Sequence, residues 1–164
     1  MARSRDISKV LSSNTTLATD AEVAATYATQ ADFSNTAWTS FTPTTTNMTV
    51  GNGTFECKYK QIGKNVFASY RFVRGSTSSF SNAMTFSLPV TAKSANESPF
   101  MTSLIDINGS YSIGHAWFNS TTSVAIWSTS VGGTWQNWAY VNNTDPFTWA
   151  SGDIISFNMF YEAA

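Results

Sequence analysis

Charge is what this sequence has least of. Of its 164 residues only nine are Lys or Arg and ten Asp or Glu, so charged residues make up 12% and the net charge is −1. An ordinary globular chain carries about 25%. A surface so poor in charge has to be built from Ser, Thr and Asn, and it offers no basic stripe of the kind that nucleic acid requires. Cysteine is as scarce. Cys57 stands alone, which excludes an internal disulfide, and one thiol with one imidazole, His115, is a poor ligand set for a metal. Its place between Phe55 and Tyr59 predicts a small buried hydrophobe. No apolar run reaches the roughly 20 residues of a membrane-spanning helix. The basic start Met1-Ala-Arg-Ser-Arg-Asp6 is followed by no apolar core, so the expectation is no secretory signal, no membrane insertion, and synthesis in a cytoplasm. Without a signal, the Asn-X-Ser/Thr triplets at Asn14, Asn47, Asn52, Asn96, Asn108, Asn119 and Asn142 read as chance in a chain rich in those residues.

Motifs of catalysis are missing too. No serine sits in a Gly-X-Ser-X-Gly elbow, and no glycine loop would cradle a phosphate. Glu56, Asp106, Asp145 and Asp153 have no spacing that pairs them as glycosidase carboxylates. Asp106-Ile-Asn-Gly109 opens like a calcium loop but lacks the later ligands, and a hairpin turn explains it better. The expectation is a protein with no catalytic residue, no metal and no cofactor.

What the chain does have is alternation. From Thr54 to Val73, Phe55, Cys57 and Tyr59 alternate with Glu56, Lys58 and Lys60. After a reversal at Gly63, Val66, Ala68, Tyr70 and Phe72 alternate with Phe67, Ser69, Arg71 and Val73. The second run is apolar on much of both faces, which places it inside a sheet or under a partner subunit. Further strands are expected near Thr44–Val50, Ala83–Leu88, Thr102–Ile107, Ser110–His115, Thr121–Ser128, Trp135–Val141 and Asp153–Tyr161. Gly75–Ser81 and Thr91–Pro99 read as polar loops, and Asp145-Pro146 as a turn. Asn108-Gly109 predicts a two-residue type I′ turn that pairs Leu104 with Ile113 and Asp106 with Tyr111. In that register His115 follows Leu104 and Ile113 along one face, a rim or core position. The fold class expected is all-β: an antiparallel jelly-roll-like sandwich or barrel at residues 32–164, with no internal repeat.

Residues 1–31 read differently, as an anchoring arm. Ile7, Val10 and Leu11 after Arg3 and Arg5 suit a turn or two of amphipathic helix, and Asp20–Ala28 a second short helix capped by Thr19 or Asp20. Helices this short are marginal alone, so the arm would be ordered only by docking, with Arg3, Arg5, Ile7, Val10 and Leu11 as the contact.

Aromatic residues are plentiful. Trp38, Trp117, Trp127, Trp135, Trp138 and Trp149 are many for one domain. Trp135 and Trp138 are three apart and point to opposite faces of a regular strand, so one of them is a candidate surface ring. With Gln136 and Asn137 they form a candidate contact for a glycan or a subunit.

Several stretches resemble a known group. Trp38-Thr-Ser-Phe-Thr-Pro43, Asn47-Met-Thr-Val-Gly-Asn-Gly-Thr54, Tyr59-Lys-Gln-Ile-Gly-Lys64, Phe86-Ser-Leu-Pro-Val90 and Pro146-Phe-Thr-Trp-Ala-Ser-Gly-Asp-Ile-Ile-Ser-Phe157 resemble a β module of tailed-bacteriophage structural proteins: tail fibres, head fibres and minor capsid proteins. Ser4-Arg-Asp-Ile-Ser-Lys-Val-Leu11 is similar to the start of many fibre-like phage proteins. The resemblance implies a jelly-roll-like, homotrimeric, non-enzymatic module on a virion surface, and it brings no catalytic residues. A short arm with almost no shaft suits a capsid decoration or cement protein bound to the major capsid protein or other virion proteins. A short tail fibre or receptor-binding head that adheres to host surface glycan is the other expectation.

Overall fold

Alternation of apolar and polar residues sets where the chain becomes extended. In a computed structural model, which describes residues 37–96, 99–132 and 135–164, every regular element among the described residues is a β-strand. The strands are β1 (Thr39–Phe41), β2 (Thr45–Thr49), β3 (Thr54–Phe55), β4 (Cys57–Ile62), β5 (Asn65–Val73), β6 (Ser79–Ser87), β7 (Phe100–Ile105), β8 (Tyr111–Ser120), β9 (Ser123–Gly132), β10 (Trp135–Tyr140) and β11 (Ile154–Glu162). They belong to one unit, residues 36–164. The expected arm, with its helices and its contact residues Arg3, Arg5, Ile7, Val10 and Leu11, lies outside the described residues.

All strands pair antiparallel in a single eleven-stranded sheet, in the order β1-β4-β5-β11-β7-β8-β9-β6-β2, with β10 added on β9 and β3 on β5. The sheet curls into a half-barrel. Its two halves meet through their inner faces: Tyr70 of β5 stacks on Phe157 of β11 at 4.4 Å between centroids, and both lie parallel to Phe86 of β6, at 6.4 and 6.1 Å. Strands four and five places apart along the sheet touch only if it bends back on itself. Every second residue of β5 and β11 is buried, Val66, Ala68, Tyr70 and Phe72 on one and Ile155, Phe157, Met159 and Tyr161 on the other, and they share the core with Leu104, Ala116, Phe118, Val124, Ile126, Phe80 and Met84. β5 lies between β4 and β11, inside the sheet as its sequence implies.

The β7–β8 hairpin departs from expectation. Ser103, Leu104 and Ile105 pair with Ile113, Ser112 and Tyr111, one residue out of the expected register. The loop is longer than two residues because Asp106 organises it: its Oδ1 accepts from the Asn108 amide at 2.8 Å, its carbonyl from Gly109 at 3.1 Å, and its amide donates to Ser110 at 2.8 Å. Gly109 stands at φ 128°, so the reversal is a three-residue loop with glycine in the bulge position. The fully buried Asp153 carboxylate, which accepts from the amides of Ile107 and Ala150, pins that loop to the start of β11. A slip of one residue exchanges faces. Leu104 therefore points into the core, whereas Ile113 and His115 point out.

β6 begins earlier than expected: Ser79–Ser81, read as the end of a loop, belongs to it, and Ser79 and Phe80 pair with Thr49 and Met48 of β2. The signal was hidden by a bulge between Thr46 and Met48, where Asn47 and Ala83 both adopt positive φ (56° and 59°) and the Asn47 amide donates to the Ala83 carbonyl. The bulge breaks the period of two in both strands.

Two substitutions test this core. Phe157→Ala removes the ring that stacks on both Tyr70 and Phe86, and urea unfolding should show a loss of about 3–5 kcal/mol. Gly114→Ala would put a methyl 2.2 Å from the Trp127 carbonyl oxygen, where β8 and β9 pair. It should lower the midpoint, opposite in sign to the gain of roughly 0.4–1 kcal/mol that Gly-to-Ala brings at an open, unstrained position.

Candidate functional site

A sheet that uses its inner face for its own core leaves the outer face to decide what the protein meets. Along β8 the outward residues are Tyr111, Ile113, His115 and Trp117, and antiparallel register places their neighbours. His115 lies between Met101 of β7 and Trp127 of β9, and Trp127 is opposite Tyr140 of β10. One row of the outer face thus reads Met101, His115, Trp127, Tyr140. Trp138, two residues before Tyr140, is opposite Thr129 and shares that face.

These rings brace one another. The His115 imidazole stacks on Trp138 with centroids 4.6 Å apart, Trp117 meets Trp138 edge to face at 5.3 Å, and Trp127 lies 3.8 Å from Tyr140. Trp138 remains 42% exposed and Trp117 38%. The result is a rigid shelf of two open indoles backed by an imidazole. At its rim the Thr129 hydroxyl donates to the Ile113 carbonyl at 2.6 Å, and Asn119 lies one outward position beyond Trp117. A second apolar stripe crosses the neighbouring strands, where Phe67 of β5 and Phe160 of β11 are opposite each other with rings 4.9 Å apart and both exposed. Met101, 68% exposed, lies between stripe and shelf.

Of the four residues expected at a glycan or subunit contact, Trp138 is on the shelf. Asn137 is exposed but precedes Trp138 in a regular strand, so it belongs to the other side of β10. Trp135 is placed by its backbone alone, opposite Gly132, and Gln136 opposite Val131. Sequence reasoning missed His115 and Trp117, which join Trp138 only because β9 lies between β8 and β10.

Elsewhere several polar side chains hold the fold. Glu56 accepts from Arg71 at 2.7 Å on the exposed side of β5. The Asp145 carboxylate takes the Ser128 hydroxyl, and its carbonyl accepts from the Trp149 indole at 3.1 Å. Among the described residues no His, Cys, Asp and Glu gather as a metal cluster, and no helix is long and apolar enough to cross a membrane. Cys57 is buried, as expected, and burial pushes its thiol up to about 11. Tyr161 is raised to about 12 and Tyr70 higher still, in both cases by burial first.

No family model, no curated protein and no solved structure matches this chain.

The raised groups set an alkaline limit. Cys57 and the two tyrosines are folded in their neutral forms, so their contribution is complete below the unfolded values and is lost as pH climbs through the folded ones. For Cys57 that window runs from about 9 to about 11. Stability by urea titration should fall across it, and Cys57→Ala should flatten that fall. The native thiol should stay unreactive toward iodoacetamide at pH 8 and react once the chain unfolds.

Proposed function

We propose that this chain is a non-enzymatic structural protein of a virion surface, a capsid decoration or cement protein of the head-fibre kind. In this reading residues 1–31 anchor it to the major capsid protein or a neighbouring virion protein, and the jelly-roll-like β module projects outward as a homotrimer. The observation that carries it is the outer face of the sheet. Met101, Ile113, Trp117, Trp138, Phe67 and Phe160 are exposed there, on a chain with too little charge to keep such a face in water unaided. Contiguous apolar surface of this kind marks a place of assembly or attachment. The resemblance of the Trp38–Thr54 and Pro146–Phe157 stretches to tailed-phage modules supplies the setting.

Within that setting the Phe67–Phe160 stripe is the contact between copies. It replaces the broader second face of β5 expected from sequence, because Ser69 and Arg71 interrupt that face with polar groups and only Phe67 stands clear of the sheet. The second reading, a short tail fibre or receptor-binding head, is favoured by the braced and open indoles Trp117 and Trp138.

Gold-tagged antibody against the β module, imaged on purified virions, separates the readings: gold over the whole head supports decoration, gold at the tail supports adhesion, and unlabelled particles overturn both. A variant lacking residues 1–31 should keep the folded β module and lose attachment to particles. Loss of folding would refute an anchor role for the arm. Sedimentation should give a trimeric mass, and Phe160→Asp should reduce it to that of a single chain.

A further inference from the structure

We propose that the shelf formed by Trp117, His115 and Trp138 is a binding site for an uncharged glycan. The proposal rests on the adhesion reading for its biological use, and on nothing about where the chain sits on a particle.

The first ground is charge. From Ile107 to Thr144, the stretch that contains all of β8, β9 and β10, there is not one Lys, Arg, Asp or Glu. A site built there has no cation for a phosphate, sulfate or sialyl group, and the Asp145 carboxylate, which lines a hollow with Thr129 and Tyr111, is already taken by the Ser128 hydroxyl. Its ligand has to be neutral. The second ground is the kind of group present. Two partly exposed indoles stand beside hydroxyl, amide and imidazole groups: Thr129 and Asn119 at the rim, and His115 within the shelf. A pyranose has matching parts, an apolar face of polarised C–H bonds that rests on the electron-rich face of an indole and a periphery of hydroxyls that donate and accept.

The third ground is scale and rigidity. The His115 and Trp117 ring centroids lie 4.6 and 5.3 Å from that of Trp138, the scale of one or two sugar rings. A stable protein interface needs about 800 Å² from each partner. The rings hold one another in place through stacked and edge-to-face contacts before any ligand arrives, so little side-chain freedom is lost on binding. Trp138 rests on His115 and still keeps 42% of its surface in solvent, and Trp117 meets it at 70°, which gives the shelf a corner that can orient a sugar.

Saturation-transfer NMR on the full chain tests the site, with hexamers of glucose, mannose, galactose and N-acetylglucosamine as probes and a sialylated and a phosphorylated sugar as anionic controls. At least one neutral hexamer should receive saturation on its ring protons. Trp138→Ala and Trp117→Ala should each weaken that binding at least tenfold, Trp138→Phe should retain most of it, and Phe160→Ala should leave it unchanged. Thermal unfolding of each variant checks that the sheet is intact. Absence of transfer from every neutral probe, or transfer from the anionic sugars alone, overturns the proposal. So does a fall in sedimented mass for Trp138→Ala, which would make the shelf a contact between copies. If sugar binding depends on Trp138 but particle adsorption to host cells does not, the glycan site stands and the adhesion reading fails.

Discussion

The stack of Tyr70, Phe157 and Phe86 is the contact on which the rest of the molecule depends. It joins strands that lie at separate places in the sheet order, and it is what makes an open antiparallel sheet bend far enough to enclose a core. Each ring removes a large apolar area from water, worth about 2–3 kcal/mol, and each is placed by strict alternation in its own strand. The constraint passes down the chain. If β5, β11 or β6 slipped by one residue, a serine or an arginine would enter the stack and the ring would go to solvent. The buried Asp153 belongs to the same logic, because by holding the β7–β8 loop against the start of β11 it helps keep the neighbouring register from drifting.

A single curled sheet has a consequence for what it can bind. Its inner face is consumed by its own core, so recognition falls to the outer face, where residues from strands distant in sequence become lateral neighbours. On β5 and β11 the result is a pair of exposed phenylalanines, and on β8 to β10 it is a shelf of rings. The two stripes differ in neighbours: Arg71, Glu56 and Glu162 are charged groups near the first, while the second sits in a charge-free run. One face can thus meet protein at one place and a neutral surface at another.

Much of this was legible from the residues in order. β4, β5 and β11 follow from alternation, and Cys57 is a core residue because Phe55 and Tyr59 flank it in phase. The hairpin at Asn108-Gly109 was misread because that dipeptide is a strong local signal, and local signals do not report that Asp106 will close a longer loop or that Asp153, far along the chain, will hold it. The first residues of β6 were hidden for a related reason, since the bulge at Asn47 and Ala83 disrupts the period that identifies a strand. At the shelf, Trp138 could be found from the spacing of tryptophans. His115 could not, because the misread turn assigned it to the wrong face.

Sequence alone determined that the described part of the chain is all-β, that its core is aromatic and aliphatic in alternating positions, and that the whole chain has little charge. These properties are local or compositional: a period of two and a count of residues need no knowledge of partners in space. Tertiary structure decided that one sheet curls instead of two packing, that Ile113 and His115 face outward, and that Trp117, His115 and Trp138 form one surface. Those outcomes depend on register, and register is fixed by contacts between residues far apart in the chain, which no local pattern contains.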